Sequence, residues 1–267
     1  MSRSNYLAAL ALLTTVVCAA CSDSSSTTTV ADSASPPSTP PSTPPTTHAT
    51  KHPARTQPSG RMIDGCTRPR HSRVVHVHAE AMPLDVLLVG KSRHGRAVVL
   101  SNQSNLDLCS WLPFARKLTQ RGFTVALYDP IDPVGDLSAI TGYLRSHHLP
   151  KVALMGASMG AKASLIAAAR SHPQVAALVS LSAEAALSSE PTIDLRQEAG
   201  KLTMPALFVT AAKDPYDARP ATTAFYRAAR SQTKRLVVAP GTAHGIALLD
   251  DRHLRRRVLR FLDHQVR

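Results

Sequence analysis

Aromatic side chains are scarce in this chain: its 267 residues include 5 Phe, 5 Tyr and 1 Trp. A core must therefore rest on Val, Leu, Ile and Ala. Acidic residues are also few, 18 against 31 Lys and Arg, for a formal net charge of +13. Such a balance raises affinity for anionic surfaces of any kind. It does not point to nucleic acid, because no RNP-like motif, zinc-finger spacing or basic stripe with interleaved aromatics accompanies it. The densest basic run sets Arg255, Arg256 and Arg257 among Leu254, Val258, Phe261 and Leu262. Those apolar positions share one helical face, so the run reads as a packed helix with a solvated side. Residues 61–267 contain no His-x-x-x-His spacing, and no metal site is expected. There are no internal repeats.

The N-terminus reads as an address. Arg3 precedes an apolar stretch over 6–17, which ends at Cys18-Ala19-Ala20-Cys21. A basic start, a short apolar centre and small residues at the end make a secretory signal peptide over 1–20. The stretch is too short for a comfortable membrane span. Its end resembles the lipobox of bacterial lipoproteins, which implies lipidation of Cys21. One departure is Cys18, where that family usually has Leu, Val or Ile; plain cleavage and release is the alternative. Residues 21–60, mostly Ser, Thr and Pro, cannot bury a core and favour extended chain. They read as a tether of on the order of 100 Å at about 3.1 Å per residue. The expected location is outside the cytoplasm, on a bacterial membrane through the lipid anchor or secreted.

Residues 61–267 have the size of one domain. Signal removal leaves it two cysteines, Cys66 and Cys109. An oxidising compartment would join them in one disulfide, worth roughly 3–4 kcal/mol by loop entropy. Two unpaired buried thiols are the alternative.

The strongest chemical signal is Gly156-Ala157-Ser158-Met159-Gly160. Gly-x-Ser-x-Gly alone means little, because common residues generate it by chance. Its flanks matter more. An apolar run over 151–155, bounded by Pro150, reads as a buried strand, and the alanine-rich 161–170 reads as a helix. Strand, Gly-x-Ser-x-Gly and helix together form a nucleophile elbow, a strained turn that presents one serine. Further strands are expected at 73–78, 85–89, 97–100, 123–129, 175–181, 205–211 and 234–239. Helices are expected at 111–120, 136–148, 222–231 and 250–265. From residue 97 onward strands and helices alternate, which gives an α/β fold with a mostly parallel sheet covered on both faces. Reactive groups in such sheets gather in loops at the carboxyl ends of strands. Ser158, Asp214 and His244 each occupy such a loop. A serine hydroxyl needs a neighbouring base, and a histidine base needs a group to hold its tautomer. Asp217 is the rival to Asp214. The remaining histidines of the domain lie on helices, turns or an early strand.

Here the chain resembles the α/β-hydrolase superfamily over nearly all of residues 70–265, nearest to small esterase, lipase and dienelactone-hydrolase-like members. The resemblance implies a sheet of about eight strands and a Ser158–His244–Asp214 triad. It also implies ester cleavage through an acyl-enzyme, with no cofactor. The substrate would be a small-molecule or lipid-like ester, and the protein a monomer. With only 183–204 between two strands, no large lid fits, and the cleft should be open. The oxyanion hole would use the backbone N–H of Met159 and a second from Ser104, with Gln103 as the alternative. The family often has His-Gly where this chain has Asn102-Gln103. That departure leaves a second reading open: a catalytically silent binding protein of the cell envelope on the same scaffold.

Overall fold

Alternating apolar residues build one eight-stranded sheet in a computed structural model of the chain, which describes residues 62–63, 65–189 and 191–267. All of these lie in one unit, Gln57–Arg267. The expected signal peptide, Cys21 and the whole tether fall outside the described residues. A two-stranded antiparallel ribbon, β1 (Met62–Ile63) with β2 (Cys66–Thr67), comes first. Then follow β3 (Ser72–His78), β4 (Pro83–Val89), β5 (Arg96–Ser101), α1 (Leu112–Thr119), β6 (Thr124–Leu127), α2 (Gly135–Ser146) and β7 (Lys151–Ala157). The chain continues through α3 (Met159–Arg170), β8 (Ala177–Leu181), α4 (Leu195–Ala199), β9 (Ala206–Ala211), α5 (Ala218–Ala228), β10 (Arg235–Ala239) and α6 (Arg252–Gln265).

The strand order is β10-β9-β8-β7-β5-β6-β4-β3. β3, β4 and β6 pair antiparallel in turn, and every other pairing in this sheet is parallel. β5 lies between β6 and β7, so the chain leaves it towards one side and later returns on the other. The order reverses there, and the crevice beyond the carboxyl ends of β5 and β7 is the place such sheets offer a ligand.

The sheet divides the core in two. On β5, Ala97 and Val99 face a layer formed by α2, α3, α4 and α5, while Val98 and Leu100 face α1 and α6. β6, β8 and β9 are buried along their whole length, as strands covered on both faces should be. Scarce aromatics leave the packing to small side chains. Ala161, Ala163, Ala167 and Ala168 let α3 lie close against the sheet. Among the few large rings, Trp111, Phe123, Tyr128 and Phe208 are fully buried.

Cys66 and Cys109 are joined by a disulfide across a sequence separation of 43. It ties the ribbon to the loop after β5. Closing a loop of that length contributes about 3–4 kcal/mol in the chain-entropy picture. A C66S/C109S double variant is therefore expected to melt roughly 10 °C lower than the parent by calorimetry, with its fold retained.

The segment 183–204 holds no large lid among the described residues, but it does hold a short helix absent from the expected elements. It carries α4, capped by Asp194 through the amides of Arg196 and Gln197. Buried Glu198 ties α4 to α3 by pairing with Arg170 at 3.0 Å, and it also meets Lys201 at 2.9 Å. Burial alone would raise the Glu198 carboxyl pKa, but the two cations outweigh it and hold it below the usual value. A depressed folded-state pKa stabilises above the ordinary carboxylate value of about 4.3 and is lost as pH falls through the folded value. Glu198→Gln is thus expected to cost about 1–2 kcal/mol at pH 7. Thermal melts across a pH series should show that gap closing as the pH drops below about 4.

Candidate active site

The turn after β7 is tight because its glycines permit contacts that no side chain could survive. A Cβ on Gly156 would stand 2.0 Å from the Gly160 carbonyl oxygen. One on Gly160 would stand 2.3 Å from the carbonyl oxygen of Ser101 at the end of β5. Between them Ser158 adopts φ 50° and ψ −113°. A non-glycine residue with positive φ there costs of order 1–3 kcal/mol and persists only where its surroundings impose it. The Ser158 N–H donates to the Leu181 carbonyl at 2.8 Å, and its own carbonyl accepts from Ala161 and Lys162 at 3.0 and 3.1 Å. Sheet and helix thus clamp the serine from both sides. Met159 opens α3, so its N–H has no acceptor within the helix.

The acid and the histidine come from neighbouring loops zipped together by backbone. Ala212 N–H donates to Ala239, and Lys213 N–H to Gly241, at 2.7 and 3.0 Å. This continues the β9–β10 ladder past the strand ends. Across it, His244 Nδ1 lies 2.8 and 3.0 Å from the two carboxylate oxygens of Asp214. The Asp214 side chain is wholly buried. Its Oδ1 also accepts the Tyr216 N–H at 3.1 Å, and the exposed Tyr216 ring covers His244 at 4.4 Å between centroids. Asp217, the rival acid, is exposed and begins α5. The other described histidines of helices, turns and β3 are exposed.

Sequence reasoning missed the group that stands between serine and histidine. Ser158 Oγ donates to Glu184 Oε1 at 2.7 Å. The same oxygen lies 3.4 Å from His244 Nε2. Glu184 Oε2 pairs with Lys162 Nζ at 2.6 Å, and Lys162 is only 7% exposed. Among the described residues no hydrogen bond joins Ser158 directly to His244. Glu184 is firmly placed. Ser182 before it has φ 53° and donates its N–H to Val209 at 2.8 Å, and the buried Thr222 hydroxyl donates to the Ala183 carbonyl at 3.0 Å. Two signals were available in the sequence. Lys162 is the lone charge within the apolar stretch 159–169, which asks for a buried counter-charge. Glu184 lies three residues past the end of β8, in a loop of the kind where reactive groups collect.

The Asn102-Gln103 segment braces the site. The buried Asn102 amide donates to the Tyr128 carbonyl at 3.2 Å and to Asp129 Oδ1 at 2.7 Å. Gln103 Oε1 accepts the Ile246 N–H at 3.0 Å and so holds the loop that follows His244. Ser104 is exposed on the same loop, and Gln103 is half-buried. Among the described residues no cluster of His, Cys, Asp and Glu could hold a metal ion.

No protein-family model and no curated protein matches this sequence. Solved structures do. An esterase from Pyrococcus furiosus superimposes with a TM-score of 0.64 at 14% identity, covering 73% of this chain and 92% of its own. A dienelactone hydrolase from Anabaena variabilis gives 0.59 at 21% identity, with 73% and 98% coverage. An enol-lactonase from Burkholderia xenovorans gives 0.57 at 18%, with 70% and 99% coverage. At such identities the likeness speaks for architecture. The shared architecture is a mostly parallel eight-stranded sheet with helices on both faces, and in this chain a serine stands on a strained turn after β7; the chain has the α/β-hydrolase fold.

Proposed function

We propose that the protein is a serine hydrolase that cleaves carboxylic esters through an acyl-enzyme. The observation that carries this reading is the buried Asp214 on His244 Nδ1, with Nε2 lying 3.4 Å from the Glu184 oxygen that accepts the Ser158 hydroxyl. Asp214 fixes the tautomer that leaves Nε2 free to accept a proton. In the first step Ser158 Oγ bonds to the ester carbonyl carbon and its proton passes to His244 Nε2. The carbonyl electron pair moves onto oxygen, which the N–H groups of Met159 and Ser104 are proposed to receive. Collapse of that adduct breaks the bond to the alcohol, which leaves with the proton from Nε2. Water then repeats the sequence on the acyl-enzyme, releasing the acid and restoring Ser158. The solved neighbours, an esterase, a lactonase and a dienelactone hydrolase by name, support ester chemistry on this fold.

The protein is further proposed to act outside the cytoplasm, held to a membrane by lipid on Cys21 and spaced from it by residues 22–60. The sequence of the first 60 residues supports this placement.

One observation favours the second reading, a silent binding protein: the Ser158 hydroxyl is bonded to Glu184 rather than to His244. Hydrogen bonds in an unliganded site often form only once substrate is bound. Turnover decides between the readings. Release of 4-nitrophenol from a ladder of acyl esters, each measured beside Ser158→Ala, is expected for the hydrolase. Folded protein that turns over no ester on the ladder supports the silent scaffold.

A further inference from the structure

Three distances centre on one carboxylate. Glu184 Oε1 takes the Ser158 hydroxyl at 2.7 Å and lies 3.4 Å from His244 Nε2, while Oε2 is held by Lys162 at 2.6 Å. With Nδ1–H given to Asp214, Nε2 offers a lone pair. Glu184 Oε1 thus holds the hydroxyl proton that the proposed mechanism assigns to Nε2, 3.4 Å from that oxygen. For His244 to take that proton, the hydroxyl must turn from Oε1 to Nε2. Oε1 is then left without a donor beside the carbonyl under attack. The carboxylate has no free route away, because Lys162 is buried and Ala183 is pinned by Thr222.

Resting on the ester-hydrolase reading above, we infer that Glu184 is a specificity-determining residue that selects esters carrying a hydroxyl beside the scissile carbonyl. Such a hydroxyl donates to Oε1 in place of Ser158 and frees the nucleophile for His244. An ester without a donor leaves Oε1 without a hydrogen bond in the Michaelis complex, with only Oε2 held by Lys162. Sites built around a polar group reject analogues that cannot satisfy it far more strongly than apolar pockets reject a missing methylene. The hydroxyl can belong to the acyl part or to the alcohol part, since both lie within reach of a carboxylate that touches Ser158 Oγ. Lys162 acts as a positioning residue, holding the carboxylate through its other oxygen.

The test compares kcat/KM within two matched pairs, each ratio divided by the ratio of uncatalysed hydrolysis rates. One pair is 4-nitrophenyl lactate with 4-nitrophenyl propionate; the other is 2-hydroxyethyl butyrate with propyl butyrate. Wild-type protein is expected to favour the hydroxylated ester by about 10- to 100-fold in at least one pair. Which pair responds tells whether the acyl or the alcohol side is read. In Glu184→Gln the preference should fall to near unity. A K162M/E184L variant, which replaces the ion pair by apolar groups and keeps the interior neutral, should lose it too. Each ratio is internal to one preparation, so the fraction folded does not affect it. Equal rates within both wild-type pairs, or a preference that survives in both variants, would overturn the inference and leave the hydrolase reading standing. Turnover of no ester, with Ser158 unlabelled by a phosphonate, would overturn both together.

Discussion

Replacing Ser158 by Ala is expected to lower ester turnover by about 10⁶-fold, to the level of the uncatalysed reaction plus what binding and the oxyanion hole supply. The size of the effect follows from the division of labour. His244 and Asp214 have nothing to act on without the hydroxyl, so removing the nucleophile alone should cost about as much as removing all three groups. The substitution keeps the backbone constraint, since any non-glycine residue at φ 50° bears the same strain. The variant should therefore fold, with its circular dichroism spectrum unchanged. Stopped-flow release of 4-nitrophenol provides a second check. Wild-type protein should show a burst of one product per Ser158 before the steady state, and the variant none.

Asp214→Asn is expected to lower kcat by about 10⁴-fold with little change in KM. The carboxylate accepts from His244 Nδ1 through both oxygens, at 2.8 and 3.0 Å, and from the Tyr216 amide. An amide of the same shape fills the same buried space. Its NH₂ can face Nδ1 only if that nitrogen becomes the acceptor, which puts the ring proton on Nε2, where it cannot receive one from Ser158. The loss should thus come from the wrong tautomer rather than from a broken loop. Asp217→Asn makes the control, because Asp217 is exposed and His244 is bonded to Asp214. It should leave kcat within about twofold, as surface substitutions away from such features do little.

The sheet was legible because its signals are local and repeated. Apolar runs such as 151–155 and 205–211 show strand length and turn boundaries, and both belong to observed strands, β7 and β9. Asp214 and His244 could be placed together because strand ends in a parallel sheet share one edge, whatever their separation in sequence. The pairing of Cys66 with Cys109 followed from having two candidates in the domain. Less was legible where the structure depends on tertiary partners. The five residues of α4 carry no periodic pattern; their helix rests on the Asp194 cap and on Glu198 reaching Arg170. The β1–β2 ribbon is too short for any periodicity.

The same cause hid Glu184. Its place just past the end of β8 is a weak mark, and its role appears only when Lys162, four residues after the serine, is seen paired with it. The departure at Asn102-Gln103 was visible, but its consequence was not. Those side chains link β5 to the loop after β6 and to the loop after His244, so they position the site through contacts that span the fold.

The most direct test of the hydrolase reading is covalent labelling of folded protein with a fluorophosphonate, followed by peptide mass spectrometry. An activated serine attacks phosphorus and expels fluoride, so one adduct on Ser158 is expected, lost in Asp214→Asn at short times and absent in Ser158→Ala. Folded wild-type protein that carries no adduct on Ser158 after prolonged exposure would contradict it.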